Sequence, residues 1–179
     1  MSVTVLGHGA LAELLRSGVR SDALSTVIVV DIDGAVVVES LLDLTDEMID
    51  IMYEQPMQQV IVNLQEAHAR GSHRIVVVVP TTGMSGGAGL VTQSALAESA
   101  RVLVKSAARQ WGQVGITVNA VAVESHWFDI DPEVSGPVSI APRSLVGQVS
   151  PVGVVSWLCS QASGDVTGQT IVCDGGLWM

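Results

Sequence analysis

Short, continuous apolar runs rich in valine and isoleucine recur along the chain and alternate little with polar residues. Five of them are predicted strands: Val3–Leu6, Thr26–Val30, Arg74–Val79, Ile116–Val121 and Thr170–Cys173. A strand that is apolar on both faces is typical of a parallel sheet with helices on each side. The pattern therefore predicts a buried, largely parallel sheet.

The segments between these runs are long enough for crossover helices. Four are predicted: Ala10–Ser17, Thr45–Arg70, Gly89–Trp111 and Pro151–Ser160. Thr45 is a candidate N-cap, and Pro56 should kink the second helix because it has no N–H to donate. Strand–helix alternation predicts one doubly wound α/β domain over residues 1–179, with three α/β/α layers. Residues 129–143, which hold three prolines, are predicted as an irregular loop.

Composition narrows the functional classes. Hydrophobic residues make up 48% of the chain and charged residues 15%, which excludes a disordered polar chain. The formal net charge is −10 with eight lysines and arginines, too few for the basic surface of a nucleic-acid or anionic-membrane binder. No apolar run reaches the roughly 20 residues of a membrane helix, and no signal peptide is evident. These features predict a cytoplasmic protein.

Metal and thiol chemistry have little support in the sequence. Cys159 and Cys173 are too few for a disulfide framework and are expected to be small buried hydrophobes. The four histidines show no metal-ligand spacing. Asp31, Asp33 and Asp43 cluster near a strand end, where solvated acids are a more economical interpretation than a metal site. We therefore expect no metal.

Two motifs near the C-terminus are specific. Residues 115–122 read Gly-Ile-Thr-Val-Asn-Ala-Val-Ala, and residues 167–176 read Thr-Gly-Gln-Thr-Ile-Val-Cys-Asp-Gly-Gly. Together they resemble the last two strands of the short-chain dehydrogenase/reductase family, especially its 3-oxoacyl-carrier-protein-reductase-like branch. The segment 74–122 follows the family pattern without a gap, and the resemblance extends from about Thr26 to Met179. It implies a Rossmann-like fold and a hydride transfer that uses NAD(H) or NADP(H).

The resemblance also implies four catalytic positions: a tyrosine acid/base, a lysine that lowers its pKa, a serine and an asparagine. In this sequence the tyrosine position holds Gln93, the lysine position Ala97 and the serine position Pro80. The asparagine position falls near Glu54 or Gln55. None of these four positions holds the residue type that the family has there. The resemblance therefore predicts that this chain does not catalyse the family reaction.

The cofactor-binding half departs from the family pattern as well. The phosphate-binding loop is reduced to a short Gly7-x-Gly9, which by itself predicts only a tight strand-to-helix turn. The strand at Thr26 resembles the family's fourth strand, and residues 10–25 leave room for one short helix before it. The family's second and third strands are therefore predicted to be missing, and Glu124 replaces the glycine of a Pro-Gly corner near the nicotinamide. We expect no cofactor in this chain.

The family also suggests partners, because its two long helices pack against a symmetry mate and its last strand forms a second interface. On that basis the candidate interface residues are Leu90, Ser94, Arg101, Val104, Ala108, Trp178 and Met179. The segment 126–128, His-Trp-Phe, is interpreted either as a hydrophobic plug in the vacant cofactor site or as a contact to a neighbouring subunit or ligand.

The leading hypothesis is a catalytically inactive subunit that assembles with an active family member, as a heterodimer or heterotetramer. The partner would carry NAD(P) and be of the 3-hydroxyacyl or alcohol dehydrogenase type. One alternative is an altered oxidoreductase that uses Thr81, Thr82, Tyr53 or Glu124. The other is a homo-oligomeric protein that binds a small acyl or aromatic ligand.

Overall fold

Five parallel strands form one sheet, in the order in which they occur along the chain. The computed structural model describes residues 2–131 and 149–177. The strands are β1 (Val3–Leu6), β2 (Ser25–Val29), β3 (Arg74–Pro80), β4 (Thr117–Val123) and β5 (Thr170–Cys173). Each predicted strand is confirmed, with its ends within two residues of the predicted ones.

Helices connect the strands. They are α1 (Gly9–Gly18), α2 (Asp46–Ile49), α3 (Gln55–Ala69), α4 (Thr82–Ser85), α5 (Val91–Trp111) and α6 (Val152–Leu158). A π-helical turn, Asp50–Glu54, joins α2 to α3, so these three pieces make up the predicted long helix. The Thr45 hydroxyl accepts a hydrogen bond from the Met48 amide at 3.2 Å, which confirms the predicted N-cap. Pro56 lacks an N–H, and the widened turn lies directly before it.

Both faces of the sheet are covered by helices. On one face, α3 and α5 bury Leu64 and Leu96 against the strands. On the other face, α1 and α6 bury Leu15 and Leu158. All residues of β2 and β4 are buried, as expected for the interior of a parallel sheet. The structure thus confirms the three-layer α/β/α architecture.

The strand order agrees with the loss of two strands. In the doubly wound strand order 3-2-1-4-5-6, the second and third strands lie on one side of the first strand and the fourth strand lies on its other side. Here it passes from β1 straight to β2, and β1 forms one edge of the described sheet. All four connections step in the same direction along the sheet. The connections through α1 and α6 cross one face, whereas those through α3 and α5 cross the other. One of these two pairs is therefore left-handed, which is rare for connections between parallel strands.

The edge of β1 is capped by a side chain from α1. The Ser2 carbonyl faces β2 and accepts from the Ser25 amide, so Val5 and Gly7 face outward by alternation. A guanidinium nitrogen of Arg16 donates to the carbonyls of both Val5 and Gly7. Because an unpaired strand edge is a template for pairing with another chain, Arg16 protects this edge.

Replacing Arg16 with alanine is expected to leave the fold intact and to promote self-association through β1. The variant should aggregate faster on mild heating in dynamic light scattering. Arg20→Ala is the matched control, since the exposed Arg20 side chain donates to the nearby carbonyls of Ser17 and Val19, and the backbone bond of Arg20 to Ser156 is unchanged by the substitution. Equal aggregation of the two variants would rule out this role of Arg16.

No helix in residues 2–131 and 149–177 is both long and apolar enough to cross a membrane.

Candidate functional site

The carboxyl ends of the parallel strands are where open α/β sheets bind their ligands. At this edge β1 leads into the turn at Gly7, β2 into the segment 30–36, and β4 into Glu124. A cavity of about 310 Å³ lies between the turns after β1 and β2 and the segment 127–129. A second cavity of about 380 Å³ lies across β1 and β2, beside the start of α3. These cavities occupy the region where the resemblance places a dinucleotide.

The residue at the family's tyrosine position does not face either cavity. Gln93 is only 2% exposed, on the buried side of α5. Its amide nitrogen donates to the carbonyls of Asp33 (3.0 Å) and Val36 (2.6 Å), and its amide oxygen accepts from the Thr92 hydroxyl. Both amide hydrogens therefore hold the backbone after β2. Gln93 is a structural clamp on this segment, with no donor left for a substrate.

Replacing Gln93 with leucine is expected to lower the free energy of unfolding by about 2 kcal/mol, because the Asp33 and Val36 carbonyls lose their donor and the buried Thr92 hydroxyl loses its acceptor. Urea unfolding followed by circular dichroism measures the change. Gln110→Leu, on the same helix, removes only an exposed bond to Ser106 and should change stability by less than about 0.5 kcal/mol. A Gln93 variant as stable as the control would show that the clamp is dispensable.

The other three catalytic positions are equally unsuited to the family chemistry. Ala97 is fully buried, one helical turn from Gln93, and a Cβ at Gly83 would lie 3.0 Å from its methyl carbon. Pro80 ends β3, level with Val123 of β4. Gln55 is exposed and donates to the Asp50 carboxylate at 3.0 Å, so it does not face the strand ends. The structure therefore brings no proton relay together at these positions.

The chain itself fills part of the expected binding region. A Cβ at Gly34 would lie 2.1 Å from the Phe128 carbonyl oxygen and 2.3 Å from the Ile130 Cγ1. Phe128 and Ile130 are buried in the core beside Val29. The segment after β4 thus packs directly on the turn after β2. This packing supports the plug interpretation of residues 126–128, with Phe128 as the plug.

The charge around the 310 Å³ cavity is unsuited to a pyrophosphate. The carboxylates of Asp31, Asp33 and Asp129 line the 310 Å³ cavity, and no lysine or arginine among the described residues does so. His8 Nε2 lies 3.2 Å from Asp31 Oδ1, so the histidine side chain is paired with this carboxylate. Phosphates bind where backbone N–H groups and cations converge, whereas carboxylates repel them. The residues that line this cavity therefore do not fit a dinucleotide.

One polar pair was not foreseen from the sequence. His126 Nδ1 lies 3.1 Å from Glu124 Oε2, and the Glu124 side chain is only 1% exposed. The two residues are two positions apart at the end of β4, and a 3₁₀ turn over residues 125–128 brings them together. The sequence singles out Glu124 and the segment 126–128 separately, because the turn geometry that pairs Glu124 with His126 has no clear sequence signal.

The residues proposed for an altered oxidoreductase lie on three segments, and the Thr81 amide donates to the Val123 carbonyl next to Glu124 at 2.9 Å. The Tyr53 hydroxyl lies 3.0 Å from the Ser99 hydroxyl and joins the π-helical turn to α5. Thr81 and Thr82 are buried at the start of α4. The Tyr53 hydroxyl therefore contributes to the packing of the π-helical turn on α5.

Neither cysteine supplies a nucleophile at neutral pH. Burial raises the pKa of the Cys159 thiol to about 12, although a hydrogen bond from Ser25 lowers it slightly. Burial also raises the pKa of Cys173, and the adjacent Asp174 carboxylate adds to the effect. Since the thiolate is the reactive form, both side chains stay protonated and inert. Within the described part of the chain, no three potential ligands from histidine, cysteine or acidic side chains form a metal cluster.

The expected interface on α5 needs correction. Leu90, Val104 and Ala108 are at most 5% exposed because they pack into the chain's own core. They offer no free surface to a partner. Ser94 and Arg101 are partly exposed, whereas Trp178 and Met179 lie outside the described residues.

Arg101 is held within the chain by two hydrogen bonds. Its Nε donates to the Thr170 hydroxyl at 3.2 Å, and its guanidinium contacts Glu98. The free apolar surface of α5 lies instead at Val91 and Val102, which are 37% and 62% exposed. A helical stripe of small and apolar residues is compatible with either face, which is why the sequence could not separate core from interface.

Comparisons with known proteins agree on a family. A family model described as enoyl-(acyl carrier protein) reductase matches residues 29–178. Dehydrogenase/reductase SDR family member 4 of Pongo abelii is 27% identical over 149 residues, which is 76% of this chain and 54% of that protein. Nodulation protein G of Azospirillum brasilense is 31% identical over 126 residues, or 67% of this chain and 50% of that protein. The chain spans about half the length of these curated relatives.

A solved structure supports the fold independently. The 3-oxoacyl-[acyl-carrier protein] reductase of Brucella melitensis superimposes with a TM-score of 0.62 at 19% identity, covering 87% of this chain and 63% of that one. The family model begins inside β2, so the match excludes β1 and α1. The similarity is therefore concentrated in β2–β5 and their helices, whereas the beginning of the chain has diverged most.

Proposed function

Because this chain belongs to the short-chain dehydrogenase/reductase family and yet uses the residue at the family's tyrosine position to hold its own backbone, we propose that it is a catalytically inactive subunit. It assembles with an active, NAD(P)-dependent family member as a heterodimer or heterotetramer. The observation that carries the proposal is Gln93: the residue in place of the acid/base is buried and uses its amide to hold the backbone. Ala97, in place of the lysine, is buried too.

Two further observations support a structural role. Phe128 and Gly34 fill part of the binding region, and Asp31, Asp33 and Asp129 surround what is left. The sheet core, by contrast, is fully packed on both faces. A chain that retains the sheet core of the family but lacks its catalytic residues is suited to support a partner. It could stabilise the partner or complete the partner's substrate pocket.

The names of the relatives support a proposal for the partner's chemistry. One match is named as a diacetyl reductase of Staphylococcus aureus, and a solved structure as a 3-oxoacyl-carrier-protein reductase. Both names describe reduction of a carbonyl group. We therefore propose an active subunit of the 3-hydroxyacyl or alcohol dehydrogenase type, with NAD(P) bound in that subunit. The cytoplasm suits this assembly, and the unpaired cysteines agree with a reducing compartment.

Cofactor titration tests the inactive-subunit proposal. We expect no binding of NADH or NADPH to the isolated chain up to about 1 mM by calorimetry, which corresponds to less than about 4 kcal/mol of binding free energy. The Staphylococcus aureus diacetyl reductase, titrated in parallel, is the positive control. Binding of either cofactor to the chain alone with micromolar affinity would favour the altered oxidoreductase instead.

A small-molecule-binding protein is the second candidate, and the 310 Å³ cavity beside Trp127 favours it. A ligand that binds only the folded chain raises its melting temperature. Screening short acyl and aromatic compounds without cofactor would reveal such a shift. This result, together with a homo-oligomeric state, would replace the subunit proposal.

A further inference from the structure

A cluster of apolar side chains points into solvent beside the clamped region. We call it the apolar patch, and its members are Val37, Leu41, Leu42, Ile51 and Val91. Leu42 is 93% exposed and Leu41 is 65% exposed, the highest value and the third highest among the exposed large hydrophobic residues. Isolated exposed apolar residues are ordinary, whereas a group of them marks an interaction surface.

Contacts of neighbouring residues place Val37, Ile51 and Val91 near one another, and Leu41 and Leu42 follow Val37 in the chain. A Cβ at Gly89 would lie 2.6 Å from Val37 Cγ1, so Val37 lies against the turn that leads into Val91. On the other side of Val91, the Thr92 hydroxyl approaches the Met52 sulfur at 4.0 Å. Met52 directly follows Ile51 in the π-helical turn. The patch therefore spans the segment after β2, the turn before α3 and the start of α5.

The two leucines are held in place by local hydrogen bonds. The Ser40 hydroxyl accepts from the Leu42 amide at 3.2 Å and caps the 3₁₀ turn Leu41–Asp43. The Val38 amide donates to the Gly89 carbonyl at 2.9 Å and anchors the preceding residues. A surface that is already ordered loses less conformational entropy on binding. The backbone that carries the two leucines is thus held in place by these bonds.

Negative charge surrounds the patch. Residues 37–54 contain six carboxylates and no lysine, arginine or histidine. All six are exposed: Glu39, Asp43, Asp46, Glu47, Asp50 and Glu54. Pairing two copies of the chain through this surface would bring twelve carboxylates together, which opposes self-association. The charge instead complements a basic surface.

We propose that the apolar patch docks a basic amphipathic segment of another protein, with apolar side chains on the two leucines and lysines or arginines facing the six carboxylates. This inference rests on the proposed function for its biological meaning, because the segment would belong to the active subunit. Electrostatic complementarity of this kind selects partners and accelerates their encounter. The chain's strong net negative charge then serves recognition as well as solubility.

Fluorescence anisotropy with two labelled peptides tests the docking surface. Both are 18-residue helices with leucine on one face, and the polar face carries lysine in one and glutamate in the other. We expect the lysine peptide to bind and the glutamate peptide not to bind. Leu41→Ser/Leu42→Ser should weaken binding at least tenfold, whereas Val114→Ser, at a 67% exposed position near the far end of α5, should not. Higher salt should weaken binding because it screens the carboxylates.

A charge control separates docking from general attraction to an acidic protein. Glu39→Gln/Asp43→Asn should weaken binding more than Glu13→Gln/Asp165→Asn, which removes the same charge at exposed sites outside residues 37–54. Equal effects of the two pairs, or no effect of the leucine variant, would overturn the inference.

The isolated complex separates this inference from the proposed function. If a dehydrogenase chain co-purifies with the wild type and equally with Leu41→Ser/Leu42→Ser, the proposed function stands and the docking surface is wrong. If no dehydrogenase co-purifies but the lysine peptide binds in a leucine-dependent way, the docking surface stands and the proposed function fails.

Discussion

Ala97→Lys, which restores the family's lysine, is expected to lower the free energy of unfolding by about 4 kcal/mol, because it buries a charge without a partner. Ala97 is fully buried, and the Gly83 backbone packs close to its methyl group. Urea unfolding measures the loss. Val102→Lys is the matched control on the same helix, where the side chain is 62% exposed and the change should stay within about 0.5 kcal/mol.

The double variant Gln93→Tyr/Ala97→Lys extends this prediction to activity. It should show no NAD(P)-dependent reduction of diacetyl, because the tyrosine would replace the clamp on Asp33 and Val36 rather than face a substrate. Stable folding of Ala97→Lys, or measurable reduction by the double variant, would mean that an open active site is still accessible.

Gly34→Ala is expected to destabilise the chain by about 3 kcal/mol or more, as overpacking against rigid backbone does. The added carbon would lie 2.1 Å from the Phe128 carbonyl oxygen, so the segment after β4 would have to move. The matched control is Gly153→Ala in α6, where the added carbon meets no atom within 4 Å. In a helix this change should stabilise by about 0.5–1 kcal/mol.

Opposite signs for these two alanine variants, measured by urea unfolding, would support direct packing of the turn after β2 on the Phe128 segment. A Gly34→Ala variant as stable as the wild type would show that this region has room to spare. The plug interpretation would then be wrong, because the Phe128 segment would leave space for an added side chain at position 34.

The sequence predicted the scaffold well because its signals are local. Continuous apolar runs predicted every strand, and Thr45 predicted the start of α2. The spacing between the first run and Thr26 was too short for two more strands, and the sheet order agrees. Such inferences need only periodicity, capping chemistry and segment length.

The candidate site depended on contacts between distant segments, which no local pattern encodes. Gln93 bonds carbonyls near residue 33, sixty positions earlier, so its role as a clamp could not be deduced from its own surroundings. Val104 and Leu90 matched an interface stripe but lie in the core, because the same helical spacing serves both. The Glu124–His126 pair required the 3₁₀ turn after β4.

Native mass spectrometry of the chain, purified gently from its source cells, tests the central claim most directly. The account predicts a complex of this chain with a second family member that has the tyrosine and lysine which this chain lacks at positions 93 and 97. NAD(P) should accompany that complex and be absent from the isolated chain. A monomer or homo-oligomer without any dehydrogenase chain would contradict the account.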